Sequence, residues 1–169
     1  NIILRVTGMP YQQYIRENIL QPLGMNQTYW EYDSVPDEQL AIGYRWEDEQ
    51  LKLETMLHDG SFGAMGGLIT TIEDFSKYIS FHLSAWPPRS EEETGPVKRS
   101  TLREMHTPQF TSLYAHARDW NDDPCAAISG YGYGLGITTD CKGVKRVSHS
   151  GALPGFASNY FFFPEYGVG

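Results

Sequence analysis

Residues 147–164 read Val-Ser-His-Ser-Gly-Ala-Leu-Pro-Gly-Phe-Ala-Ser-Asn-Tyr-Phe-Phe-Phe-Pro. A polar triplet, His149-Ser150-Gly151, stands between two segments that read as extended. The first, residues 144–149, alternates apolar and polar residues with the period of a strand. The second, residues 156–164, is apolar on both faces, so it is expected to be a strand buried on both sides with a neighbour on each flank. Taken alone, the triplet is the turn at a strand's end. Its company in the chain changes that weighting.

Toward the N-terminus, residues 131–139 (Tyr-Gly-Tyr-Gly-Leu-Gly-Ile-Thr-Thr) have period two. With a turn at residues 140–143 they pair with residues 144–149 as a predicted β-hairpin. Residues 109–130 show no period and read as irregular, an insertion. Ser100 is placed to cap a short helix over residues 101–106, ended by Pro108. Residues 85–96, rich in Pro, Gly and charge, read as a surface loop. Thr71 is a good N-cap for a helix in which Ile72, Phe75, Tyr78, Ile79 and Leu83 form the expected buried stripe, with His82 at its boundary. Glycines 63, 66 and 67 make a tight loop before it. Residues 29–60 read as loops with one short hairpin. Pro10 is expected at the first position of a helix that Pro22 stops, and Gly8 closes the helix before it.

Helices come first and strands after, which predicts an α+β fold, an antiparallel sheet covered by helices. Residues 1–130 form the mainly helical and loop part, and residues 131–169 supply strands of the central sheet. Three strands do not complete a sheet, so the chain is expected to be part of one domain of a larger protein.

The chain has 169 residues and a formal net charge of −8. An acidic balance argues against a nucleic-acid partner, and no apolar run is long enough to form a transmembrane segment. Cys125 and Cys141 have neither zinc-site spacing nor the density of a disulfide scaffold. They could pair in an oxidising compartment, but two unlinked thiols are the expectation. The five histidines lack metal-binding spacing, so neither a metal nor a cofactor is expected. The glycines of residues 131–136 do not follow the G-x-G-x-x-G spacing and read as close backbone packing. No G-x-S-x-G elbow, S-x-x-K, Tyr-x-Asn or Ser-x-Asn occurs.

Three stretches, in this order, resemble the serine β-lactamase-like family of class C β-lactamases, D-alanyl-D-alanine carboxypeptidases, D-aminopeptidases and related esterases. Residues 6–30 resemble its helix followed by Pro-Leu-Gly-Met…Thr. Residues 63–79 resemble its Gly-Gly-Leu…Thr…Asp-Phe segment. Residues 131–137 and 147–169 resemble its Tyr-Gly-Leu-Gly strand and third catalytic motif. Residues 85–130 match nothing in detail. The resemblance implies the β-lactamase/transpeptidase-like fold and a serine hydrolase acting through an acyl-enzyme on an amide, ester or β-lactam, with a small molecule or peptide as substrate. His149-Ser150-Gly151 matches the family's Lys/His-x-Gly motif. By that match His149 and the Ala152 N–H are catalytic, while Ser150 and Gly151 bind substrate. His149 supplies a proton donor near the base and Ala152 an oxyanion donor. Histidine in place of lysine leans toward a peptidase or esterase.

The nucleophile's S-x-x-K and the Tyr-x-Asn motif belong upstream of residue 1 by this resemblance, and a final strand and helix belong after Gly169. The chain is therefore expected to be an internal piece that needs its missing N- and C-terminal segments, and to be inactive alone. A periplasmic or extracellular location is implied by the resemblance only. Two alternatives stand beside it: a non-catalytic binding or regulatory homologue, and an unrelated α+β interaction domain in which the triplet is only a turn.

Overall fold

A computed structural model describes residues 2–60, 63–89, 92–93, 95–114, 116–119 and 121–169. Part of the expected loop at 85–96 lies outside them. The chain forms two compact units, Asn1–Tyr78 with Gly151–Ser158, and Ile79–Ser150 with Asn159–Gly169.

In the first unit, α1 (Ile2–Thr7) ends at Gly8, whose φ of 76° is the left-handed closure expected there. Pro10 sits just before α2 (Tyr11–Ile15) as its N-cap, one residue earlier than the sequence predicts. The helix runs on as a π-helical turn, Arg16–Leu20. It buries Leu20 against Met25 and Trp30, with Tyr11, Ile15, Leu23 and Tyr78 packed around them. β1 (Thr28–Tyr29) pairs antiparallel with β4 (Ile69–Thr70). The expected hairpin is β2 (Tyr44–Glu47) with β3 (Gln50–Leu53). The glycine-rich stretch contains a short helix, α3 (Gly63–Gly66), where a loop is expected. Asp59 precedes it and accepts hydrogen bonds from Tyr11 Oη (2.8 Å) and Gln12 Nε2 (2.6 Å), tying that stretch to α2.

Thr71 caps α4 (Ile72–Leu83), its Oγ1 accepting the Asp74 N–H at 3.2 Å. The expected stripe holds for Ile79, which is buried, and for Phe75, Tyr78 and Leu83, which are half-buried, but not for its first residue. Ile72 is 78% exposed, whereas Asp74 and His82 are buried along with Ile79. Polar residues can hold these positions because their hydrogen bonds are made inside. Asp74 accepts the Gln27 N–H at 2.6 Å, Thr28 Oγ1 at 3.0 Å and Lys77 Nζ at 2.7 Å. Burial would raise its pKa; the bonds from Lys77, Gln27 and Thr28 outweigh it and hold the carboxyl below its usual range.

The second unit is organised on an antiparallel meander in the order β5 (Phe110–Tyr114), β6 (Ala127–Gly132), β7 (Leu135–Thr139), β8 (Lys145–Leu153) and β9 (Phe156–Phe162). Residues 109–130 are thus not simply irregular. They hold β5 and the start of β6. Every residue of β5 is exposed, so burial imposes no apolar alternation on its sequence. A Cβ at Gly130 would lie 2.3 Å from the Phe110 carbonyl oxygen, so only glycine lets β5 close onto β6 here. The single strand read over 131–139 is two strands. Tyr133 and Gly134, with φ of 52° and 80°, form the tight turn between them, and Tyr133 Oη donates to Glu104 at 2.7 Å. β9 lies beside β8, and among its own residues Phe162 is the fully buried one.

The core of this unit is Leu102, Leu135, Ile137, Val147 and Phe162. Leu102 comes from α5 (Arg99–Met105), which begins before Ser100, so Lys98 and not Ser100 is its N-cap. His82 is not a boundary residue but 1% exposed. Trp86 Nε1–H donates to His106 Nδ1 at 3.0 Å, and His106 Nε2 lies 2.8 Å from His82 Nδ1. Indole nitrogen can only donate, so His106 carries its proton on Nε2 and gives it to His82. Burial pushes His82 down to about 4; burial, then the charges of His82 and Lys145, take His106 to about 3.

Cys125 and Cys141 are joined by a disulfide, correcting the expectation of free thiols. The bond holds Cys125 at the β7–β8 turn, although the two cysteines are 16 positions apart in sequence. Among the described residues, no helix is long and apolar enough to cross a membrane.

Candidate functional site

The proposed motif lies on β8. Val147 anchors the strand with 0% exposure, and the residues from His149 to Leu153 are all exposed. The sequence pattern changes at the same point: an alternating, half-buried strand becomes a short polar and small-residue run. His149 and Ser150 belong to the second unit, Gly151 and Ala152 to the tip of the hairpin counted with the first.

The His149 ring stands between two tyrosines, with centroids 6.4 Å from Tyr131 and 6.3 Å from Tyr160. Sequence reasoning missed this aromatic setting. Tyr131 reads there only as part of an alternating strand and Tyr160 only as part of an apolar one. Ser150 makes no side-chain hydrogen bond to any described residue, which leaves its hydroxyl available. Among the described residues, a Cβ added at Gly151 would meet only Ser158 Oγ, at an ordinary 3.4 Å. The fold therefore does not itself demand glycine at this position, and the space over the backbone is open. Ala152 is likewise exposed.

The hairpin tip is fixed from below within the first unit. Gly155, with φ of 78°, packs so closely on Gly43 that a Cβ on it would lie 2.7 Å from the Gly43 Cα. That contact sets the course of residues 151–158. Among the described residues, no group of three His, Cys, Asp or Glu side chains is arranged to hold a metal ion. No serine of this chain has a lysine three positions on.

The family model described as Beta-lactamase matches residues 1–169. This chain belongs to the beta-lactamase family. The match runs through residues 85–130, which the sequence motifs leave uncovered. Among curated proteins, the chain is 28% identical over 162 residues to Beta-lactamase-like protein 4 of Dictyostelium discoideum, covering 95% of this chain and 26% of that protein. It is 25% identical over 176 residues to Unguisins hydrolase ungD' of Aspergillus campestris, covering 98% and 29%. Among solved structures, the octameric penicillin-binding protein homologue from Pyrococcus abyssi matches with a TM-score of 0.77 and 28% identity, over 96% of this chain and 33% of that one. The α+β fold read from the sequence is the fold of this beta-lactamase family member. The chain spans between a quarter and a third of the length of these relatives.

Proposed function

We propose that this chain carries the third-motif edge of a serine hydrolase that works through a serine acyl-enzyme on an amide, ester or β-lactam. His149, Ser150, Gly151 and Ala152 are its part of the cleft. The nucleophile and its lysine come from elsewhere in the complete protein. The single observation that carries the reading is that Gly151 is glycine on an open, exposed strand where packing does not require one. An acyl-enzyme site does require one, because substrate must lie flat against that strand.

In this reading the Ala152 N–H is one of two donors to the acyl oxygen, an interaction worth about 10²–10³ in turnover. A backbone donor needs no particular side chain, so alanine serves. His149 holds or delivers a proton beside the catalytic base, and an imidazole does so conditionally near neutral pH. Ser150 hydrogen-bonds the substrate's carboxylate or amide. Membership of the beta-lactamase family supports hydrolase chemistry, and one relative is itself named a hydrolase.

The test compares Gly151→Ala and Gly151→Val in the full-length protein, using a labelled β-lactam and p-nitrophenyl esters. The reading expects stoichiometric serine acylation in the unsubstituted protein. It expects that acylation to be abolished in Gly151→Val, with the melting temperature kept in both variants. Acylation that survives Gly151→Val would remove this strand from the site.

A further inference from the structure

Gly43 and Gly155 are glycines for a different reason from Gly151. Gly43 stands immediately before β2, and its carbonyl accepts the Glu54 N–H at 2.9 Å, closing the base of the β2–β3 hairpin. An ion pair of Arg45 with Glu54, at 3.1 Å, ties the same base together. The turn between β8 and β9 is seated on that base. A Cβ on Gly155 would lie 2.7 Å from Gly43 Cα, 2.8 Å from the Gly43 carbonyl carbon and 2.8 Å from the Tyr44 nitrogen. All three are backbone atoms of the hairpin base, so none can swing aside as a side chain would. From the other side, a Cβ on Gly43 would lie 2.6 Å from Phe156 Cε2 and 3.1 Å from Gly155 Cα. Two backbones touch here with no side chain between them, and a contact packed that closely transmits a displacement.

Ala152 and Gly151 precede Gly155 by three and four residues and belong to the same compact unit as Gly43. We propose that Gly43 is a positioning residue for the acyl-enzyme site. By seating the Gly155 turn on the hairpin base, it fixes where the Gly151 backbone and the Ala152 N–H stand. This rests on the reading of residues 151 and 152 as the substrate-facing edge. An oxyanion donor works at about 2.7–3.1 Å, so a shift of a few tenths of an ångström in the strand is felt in the transition state. Misplacement by about 1 Å costs up to roughly 10²-fold in rate, so a few tenths corresponds to roughly three- to tenfold.

The experiment uses the full-length protein. It compares Gly43→Ala with the unsubstituted protein in kcat and KM on a p-nitrophenyl ester, in serine acylation by a labelled β-lactam, and in melting temperature. Gly43, unlike Gly155, is not at a positive φ, so the new methyl acts through contact and not through backbone strain. The result expected is a kcat per folded molecule lower by roughly three- to tenfold, with KM changed by less than about twofold, because the donor acts in the transition state. Leu20→Ala, which opens a cavity in the core of the same unit, is the control: its melting temperature should fall while kcat per folded molecule stays within about twofold. Phe156→Ala removes the nearest obstacle to the methyl, so the double variant folds where Gly43→Ala alone does not, and the methyl then bears on Gly155. Its kcat should be lower than that of Phe156→Ala by about twofold or more.

Unchanged kcat per folded molecule in Gly43→Ala overturns the proposal and leaves Gly43 a packing residue; where that variant does not fold, equal kcat in the double variant and Phe156→Ala does the same. Acylation abolished by Gly151→Val beside a fully active Gly43→Ala sinks this proposal alone. An unsubstituted protein that is not acylated, or acylation that survives Gly151→Val, overturns it together with the reading it rests on.

Discussion

Acidification should destabilise this protein through two particular side chains. His82 and His106 are 1% and 0% exposed and joined in a chain that starts at the Trp86 indole. Each accepts a hydrogen bond on Nδ1, so a proton added to either ring must displace a bond inside an apolar core. Their pKa values of about 4 and about 3 lie below the ordinary 6.5. The unfolded chain therefore binds more protons than the folded one below pH 6.5. Stability is complete above that pH and is lost as pH falls toward 4. Lys145, 5.3 Å over the Trp86 ring, adds a like charge that opposes protonation further. Each histidine contributes a slope of up to about 1.4 kcal/mol per pH unit. The pair should cost about 2–3 kcal/mol between pH 6 and pH 5, against a total stability of roughly 5–15 kcal/mol for a domain. The assay is urea denaturation of the full-length protein at several pH values, beside His82→Gln with His106→Gln. Glutamine keeps an acceptor for Trp86 but does not titrate. The double variant should be less stable at pH 7.5 and much flatter with pH. Equal pH slopes in the two proteins would refute the reasoning.

Asp74→Ala should cost about 3 kcal/mol, because it leaves the Gln27 N–H and the buried Thr28 hydroxyl without their acceptor; denaturant midpoints measure this, and a loss under 1 kcal/mol would count against it. Thiol titration of the unfolded, unreduced protein should find Cys125 and Cys141 blocked with no dimer formed, and Cys125→Ala with Cys141→Ala should lose about 3 kcal/mol for a loop of roughly this length. Two free thiols in that titration would contradict the pairing.

The sequence carried the fold where burial imposes a period. The α4 helix and β8 are legible for that reason and Thr71 by its capping hydroxyl, whereas the exposed β2–β3 hairpin reads only as one short hairpin somewhere within residues 29–60. It failed where burial imposes none. β5 is exposed along its whole length, and Gly130, whose missing Cβ lets it pair with β6, falls in the stretch that reads as irregular. Tyr133 in a left-handed turn looked like one more residue of a strand, since a tyrosine there is stabilised by its distant bond to Glu104. The disulfide and the His82–His106 pair depend on contacts between residues 16 and 24 positions apart, which local pattern cannot register. The candidate site was legible as a motif, through family resemblance. Its setting between Tyr131 and Tyr160 was not, because those rings come from two other strands.

The claim that the His149 strand edge belongs to a hydrolase site is tested most directly by His149→Ala in the full-length protein, with turnover of a p-nitrophenyl ester and melting temperature measured on one sample. His149 is exposed and packs little, so the melting temperature should hold, with a stability change within about 0.5 kcal/mol. Turnover per folded molecule should fall by roughly 10² or more, with an altered pH profile. A lowered melting temperature with turnover per folded molecule unchanged would contradict the account and leave His149 a structural residue at a strand's end.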